Sequence, residues 1–351
     1  MTTLPSSQTL EYAAGKVYSY MLRNHSGNWG MDMAHWDWVP GVGAASILEY
    51  YQQDGGDEII NRLSEWALAH LHQSGHAKVI NSMAPFAIFP ALYSVTGNPV
   101  FKESAVRTGQ WMLHEAPRTR EGAFEHTVTE QASFPEQVWA DTVFMAVLFL
   151  ARLARLARLT GETGYAREAL SQLELHLRLL EDKQSGVLFH GWNCITGDHM
   201  SAARWTRANA WIALAAPMIL QEVEGLLPVP ASITERYRRL MAALIGYQSP
   251  SGLWHTVMDR TDFYLETSGS AGIAAGIFKA VRMGLLGEAA LGPARAALEA
   301  VLGTIKADGE VGGVSGGTPV MPTVEDYNEI SCIPTLYGQG LVLILLAEAM
   351  K

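Results

Sequence analysis

Two kinds of link join the helical segments of this chain, and they alternate. Apolar residues recur at helical spacing over about 8–22, 40–53, 57–72, 81–96, 99–115, 138–160, 162–181, 204–224, 231–248, 268–286, 288–306 and 337–350. Between pairs the link is short: "DGG" at 54–56, "GN" at 97–98, one glycine at 161 and at 287, and the slightly longer "GLLPVP" at 225–230. Within pairs it is long: 23–39, 73–80, 116–137, 182–203, 249–267 and 307–336. Six hairpins joined in this way predict a closed all-α toroid over 1–351 as one domain. Inner and outer helices alternate, and every long link emerges on one face. An open solenoid of helix pairs is the competing arrangement. Gly56, Gly97, Gly161, Gly225 and Gly287 fall where a helix C-terminus favours a left-handed residue. Strand-like alternation is scarce.

The composition suits a large core, being 48% hydrophobic and 17% charged. A formal charge of -10 argues against nucleic acid and anionic membranes as partners. It also means that an acidic ligand needs local basic groups. Cys194 and Cys332 are too few for a disulfide framework. No apolar run reaches membrane-spanning length, and "MTTLPSSQTLEY" lacks the marks of a signal peptide, so a cytoplasmic protein is expected.

The polar and aromatic outliers collect in the long links or in the first turn after them. They include Trp36, Asp37 and Trp38, then Asn81, then His126, Gln137, Trp139 and Asp141. His190, Trp192, Trp205, Arg207, Asn209, Trp254, His255, Asp259, Glu266 and Tyr337 follow. In a toroid these share one rim and form a bowl of indoles, imidazoles, carboxylates and a guanidinium. Indole faces stack on the C–H faces of sugars, and polar groups bind the hydroxyls, so an oligosaccharide is the expected ligand. Trp139 and Trp211 also read as core residues, whereas Trp38, Trp192 and Trp205 have the polar or glycine neighbours of a rim. No HExxH, paired CxxC, EF-hand loop, nucleophile elbow or phosphate loop is present, and neither metal nor cofactor is expected.

Blocks spread along the chain sharpen this reading. "HWDWVPGV", "QVWADTVFM", "HGWN", "ARWTRANAW", "SPSGLWHTVMD", "YLETSGSA" and "YGQG" resemble, in order, those of the unsaturated rhamnogalacturonyl hydrolases of glycoside hydrolase family 105, relatives of the family 88 glucuronyl hydrolases. The resemblance implies an (α/α)6 barrel. It also implies a substrate whose non-reducing end is a uronic acid with a C4=C5 double bond. That bond is a vinyl ether, cleaved by hydration instead of displacement at the anomeric carbon.

Asp141 matches the family's catalytic aspartate, which protonates C4 and then activates water. Packing beside Trp139 and Phe144 favours a raised pKa, and a helix N-terminus favours a lowered one. The resemblance places His190 at the substrate and gives Arg207 a uronate carboxylate to hold in its planar fork. Trp38 and Trp205 stack on the sugar. Trp139 and Trp192 complete the indole wall. His126 corresponds loosely to a His-Lys pair in relatives, but Thr127 follows it here. Asn81 stands where relatives can carry a second aspartate, so Asp37, Asp259 and Glu266 become candidates for that carboxylate. As an alternative, Asn81 caps the helix that begins there.

Three further readings remain open. A glucuronyl-specific enzyme would act on glycosaminoglycan or ulvan fragments. A sugar 2-epimerase would use His190 and His255 as its acid and base. A carbohydrate-binding barrel would do no chemistry. The oligomeric state is not written in the sequence.

Overall fold

The computed structural model describes residues 4–76, 78–130, 133–157 and 162–351. Twelve α-helices form six hairpins among these residues. They are α1 (Ser7–Met21) with α2 (Trp38–Asp54), α3 (Asp57–His70) with α4 (Phe89–Thr96), and α5 (Pro99–His114) with α6 (Leu148–Ala157). Then come α7 (Gly164–Leu179) with α8 (Thr206–Val223), α9 (Ala231–Gly246) with α10 (Thr267–Arg282), and α11 (Leu291–Leu302) with α12 (Leu336–Met350). The even-numbered helices form the inner wall. α2 packs on the 3-10 turn Asn81–Ile88 that leads into α4, that turn and α4 pack on α6, α6 on α8, α8 on α10, α10 on α12 and α12 on α2, so the ring closes as an (α/α)6 barrel and the solenoid is excluded.

Inner helices need apolar surface on every side, and their sequences supply it. α12, "LYGQGLVLILLAEAM", is buried from Leu336 to Glu348. α8 and α10 approach so closely that a Cβ at Gly276 would collide with the Ala213 backbone, and one at Gly269 would come within 2.9 Å of the Arg207 nitrogen. Outer helices such as α3 bury one stripe, Ile59, Ile60, Leu63 and Ala67.

The helix ends differ in detail from the expectation. Gly97 and Gly225 are left-handed at φ +69° and +73°. Gly55, not Gly56, ends α2 at φ +74°, and Gly56 is the extended residue that starts α3. Gly284, not Gly287, turns the chain after α10. Gly161 lies outside the described residues.

The largest departure lies around Asp141. One helix over 138–160 was expected. Instead β1 (Gln137–Trp139) pairs antiparallel with β2 (Gly191–Asn193), and a π-helical turn over Val143–Val147 precedes α6. The last residues of the expected helix, 158–160, are outside the described residues. A second ribbon pairs β3 (Trp254–His255) with β4 (Leu265–Glu266). These strands are only two or three residues long. No period-2 pattern can show in so few residues, which is why the sequence hid them.

Candidate active site

Asp141 owes its place to the β1–β2 ribbon. Trp139 pairs with Gly191, the Ala140 N–H donates to the His190 carbonyl at 3.1 Å, and the chain becomes helical at Asp141. The ribbon therefore sets His190 beside Asp141. His190 Nε2 lies 3.3 Å from Asp141 Oδ2, but the alignment does not make a formed hydrogen bond at either atom. The π turn that follows is a wide turn of a kind that recurs at functional sites.

Burial pushes the Asp141 pKa up. The His190 contact, with the fields of His190, His126 and Arg207, outweighs it and holds the carboxyl below the ordinary carboxylate range. Burial holds His190 below its ordinary value despite Asp141. His126, buried under the same carboxylate, is pushed down to about 3. The resting pair is thus an ionised Asp141 facing a neutral imidazole. The side-chain partners His190, His126 and Arg207 win over desolvation.

Around this pair runs a ladder of planar groups. Trp29 meets Trp38 edge-on at 5.9 Å between centroids, and Trp38 stacks on Tyr337 at 5.3 Å and 17°. The Arg207 guanidinium lies between Tyr337 and Trp205, 4.5 and 4.4 Å from the two rings. Trp205 lies 4.4 Å from His190, and His190 meets the edge of Trp139 at 5.4 Å. Trp139 stacks on His126 at 4.2 Å and 11°, with Phe134 beside it at 4.7 Å. These groups enclose a cavity of about 250 Å³, whose lining includes Asp141, Asn81, Glu130, Gly317 and Thr318. A larger cavity of about 540 Å³ lies between Leu71, His72, Ser74, Gly75 and Lys78 on one side and α5 on the other, and its lining includes no residue of the ladder, nor Asp141.

Of the residues singled out in the sequence, Trp38, Asn81, His126, Trp139, Asp141, Trp205 and Arg207 line this cavity, and His190 backs Asp141. Trp192 does not. It sits on β2 opposite Val138 and packs on Ala123, Val138, Leu179 and Cys194. Asn81 does not cap a helix: it begins a 3-10 turn over Asn81–Ile88, and its buried Oδ1 has no hydrogen-bond partner among the described residues. Thr127 anchors this stretch by accepting the Ile80 N–H at 2.6 Å and, through its carbonyl, the Asn81 N–H at 3.1 Å.

Arg207 lines the cavity, but its fork is already occupied. Nη1 donates to the Ser315 carbonyl at 2.8 Å and to the hydroxyls of Ser315 and Ser268. Nη2 donates to the Gly316 carbonyl at 2.8 Å and to Thr318 Oγ1 at 3.2 Å. Glu266 stands 3.7 Å away and is itself consumed, capping α10 and accepting the Ser315 N–H at 3.1 Å. The expected bidentate grip on a uronate is therefore not available at Nη1 and Nη2. Arg207 rivets the 315–318 loop to the barrel instead. Asp259 is spent on Arg204 at 2.5 Å. Asp37 caps α2, with burial pushing its pKa up, and accepts the Thr129 hydroxyl at 2.9 Å. His255 Nδ1 sits 2.7 Å from the Phe263 carbonyl, outside the cavity. The two-histidine arrangement of an epimerase is not assembled.

The sequence reading missed Trp29, Phe134, Tyr327 and the "SGGTP" loop. A sequence signal existed for one of them. Trp29 sits in the first long link, the kind of segment in which the other polar and aromatic outliers collect. Gly317 lies so close to Trp29 that a Cβ would come within 2.8 Å of the indole.

Residues 13–351 match the sequence pattern of Glycosyl Hydrolase Family 88. The chain belongs to that family. It is therefore a glycosidase, with an oligosaccharide as its substrate. Among family 88 and family 105 proteins it is 35% identical over 338 residues to the unsaturated rhamnogalacturonyl hydrolase YesR of Bacillus subtilis, covering 96% of this chain and 95% of that protein. A crystal structure of a possible family 105 member from Klebsiella pneumoniae superposes with a TM-score of 0.92 at 30% identity, covering 100% of this chain and 95% of that one. One from Salmonella enterica gives 0.92 at 29% identity, covering 100% and 96%.

Proposed function

We propose that this family 88 glycosidase removes a 4,5-unsaturated uronic acid from the non-reducing end of oligosaccharides made by a rhamnogalacturonan lyase, with Asp141 as the acid and base. The observation that carries this reading is the Asp141–His190 pair in a small aromatic cavity. The kinship with YesR supports the substrate class.

Asp141 gives its proton to C4 of the vinyl ether, and the cation that forms at C5 is shared with the ring oxygen. Water adds to C5 and returns a proton to the Asp141 carboxylate. The C5 hemiketal opens to a ketone, which leaves C1 as a hemiacetal that expels the remaining sugar as an alcohol. One carboxyl serves both steps, and the two-carboxylate scheme of most glycosidases is not used.

The resting Asp141 is ionised, so it must be loaded with a proton. The substrate does this. Its own carboxylate brings negative charge into a cavity with Asp141, and its rings displace water. Both effects favour the neutral acid. Arg207 is the only cation among the described lining residues, and Glu266 offsets it, so the incoming charge is felt at Asp141. Trp38 and Trp29 offer faces for the leaving sugar, and the free Asn81 carbonyl accepts from a hydroxyl. The free thiols Cys194 and Cys332 suit a reducing cytoplasm.

The test uses the ultraviolet absorbance of the conjugated alkene. Digests from a rhamnogalacturonan lyase should lose it on incubation, and digests from glycosaminoglycan lyases should keep it. Unchanged absorbance with every digest would refute the reading. Loss only with the glycosaminoglycan digests would shift the substrate to glucuronyl fragments.

A further inference from the structure

His190 faces Asp141 with one ring nitrogen and is itself held from the other. Its Nδ1 lies 2.7 Å from the hydroxyl of Tyr327. Tyr327 comes from the 3-10 turn Glu325–Glu329 in the last long link, is fully buried, and packs its ring against His190 and Trp205. Its oxygen also accepts the Met321 backbone N–H at 3.2 Å and stands 3.3 Å from Ser201 Oγ.

A phenol has one proton to give. Burial raises the Tyr327 pKa to about 12, so that proton stays in place. Met321 supplies a donor to the oxygen, and Ser201 can supply another. The closest acceptor for the phenol proton is then His190 Nδ1. A neutral imidazole that accepts at Nδ1 carries its own hydrogen at Nε2, the atom 3.3 Å from Asp141 Oδ2.

We propose that Tyr327 is a positioning residue whose hydroxyl fixes His190 as the Nε2–H tautomer, so that the proton loaded onto Asp141 stays available to the substrate. This rests on the reading of Asp141 as the acid. In the opposite tautomer an Nε2 lone pair faces the carboxyl. A protonated Asp141 would then form an O–H···N bond to His190, and its proton would point away from the alkene. In the Nε2–H form the ring N–H faces Oδ2 from 3.3 Å, so the imidazole can only donate to that oxygen when the two close up, and Oδ1 is left to carry the acid proton. Asp141 thus needs a partner that can only give.

The test is nuclear magnetic resonance of protein carrying ¹⁵N-histidine, with the His190 signals identified by their loss in His190→Gln. Pyridine-type and pyrrole-type ring nitrogens are resolved directly. The wild-type protein, without substrate, should show a pyridine-type Nδ1 and a pyrrole-type Nε2 at His190, and Tyr327→Phe should move both toward a mixture. On lyase-made substrate, Tyr327→Phe should lower kcat on the order of 10²-fold while KM stays within about twofold, as expected when a proton donor is misdirected but the binding surface is kept. A wild-type His190 with a pyridine-type Nε2, or a folded Tyr327→Phe variant with wild-type kcat, would overturn the proposal. Should the variant fail to fold, the wild-type spectrum still decides. Because that spectrum needs no substrate, a failed activity assay would count against the reaction and leave the tautomer result standing.

Discussion

Arg207 and Glu266 face each other at 3.7 Å with almost no exposure to solvent, and both hold the same loop. Removing one member leaves the other as an uncompensated buried charge. Arg207→Met is therefore predicted to destabilise the fold by about 3–5 kcal/mol, read as a lower denaturation midpoint. If Arg207 were a dedicated substrate fork, the same change would raise KM and leave stability alone.

Trp29 is 47% exposed at the outer end of the aromatic ladder. Its loss should not disturb folding. Trp29→Ala is predicted to raise KM by roughly 2- to 10-fold with kcat unchanged, as expected from an aromatic contact of about 0.5–1.5 kcal/mol. Steady-state kinetics on a disaccharide substrate checks this.

Two buried histidines give the stability a pH dependence of fixed sign. His126 stays neutral down to about 3 and His176 down to about 4, whereas both protonate near 6.5 in the unfolded chain. Between those values the unfolded state holds more protons, so stability falls as pH drops through 6.5 and stops falling through each group at its folded value. Each contributes a slope of about 1.4 kcal/mol per pH unit. His176 lies in the core of α7, away from the cavity. Urea unfolding of His176→Gln at a series of pH values should show the slope reduced by about that amount.

An ionised Asp141 that must become an acid has to take up a proton when ligand binds. A saturated uronide that cannot react should bind with net proton uptake near neutral pH, measured by calorimetry in buffers of different ionisation enthalpy. Asp141→Asn should bind the same ligand without that uptake.

The barrel was legible in the sequence because its signal is periodic and repeated: twelve apolar stripes, with loops alternating in length. Asp141 and the indoles around it were legible because unusual residue types gathered in the long loops. What escaped depends on relationships between distant segments. Nothing local distinguishes an Arg207 that holds a ligand from one that holds the 315–318 loop, since the acceptors at Ser315 and Gly316 lie in another part of the chain. Tyr327 was invisible for the same reason: its meaning is its distance to His190. Trp192 looked like a rim residue by its neighbours, but the alternation of a three-residue strand turned it to the other face.

The central claim is that Asp141 protonates the alkene and that the sugar leaves only afterwards. Rapid mixing of enzyme with unsaturated galacturonyl-rhamnose, with alkene absorbance and free rhamnose followed in the same sample, tests it most directly. The account predicts that absorbance falls before or together with rhamnose release, and that Asp141→Asn slows both on the order of 10²- to 10⁴-fold while still binding. Rhamnose appearing while the absorbance persists, or an Asp141→Asn protein that reacts at the wild-type rate, would contradict it.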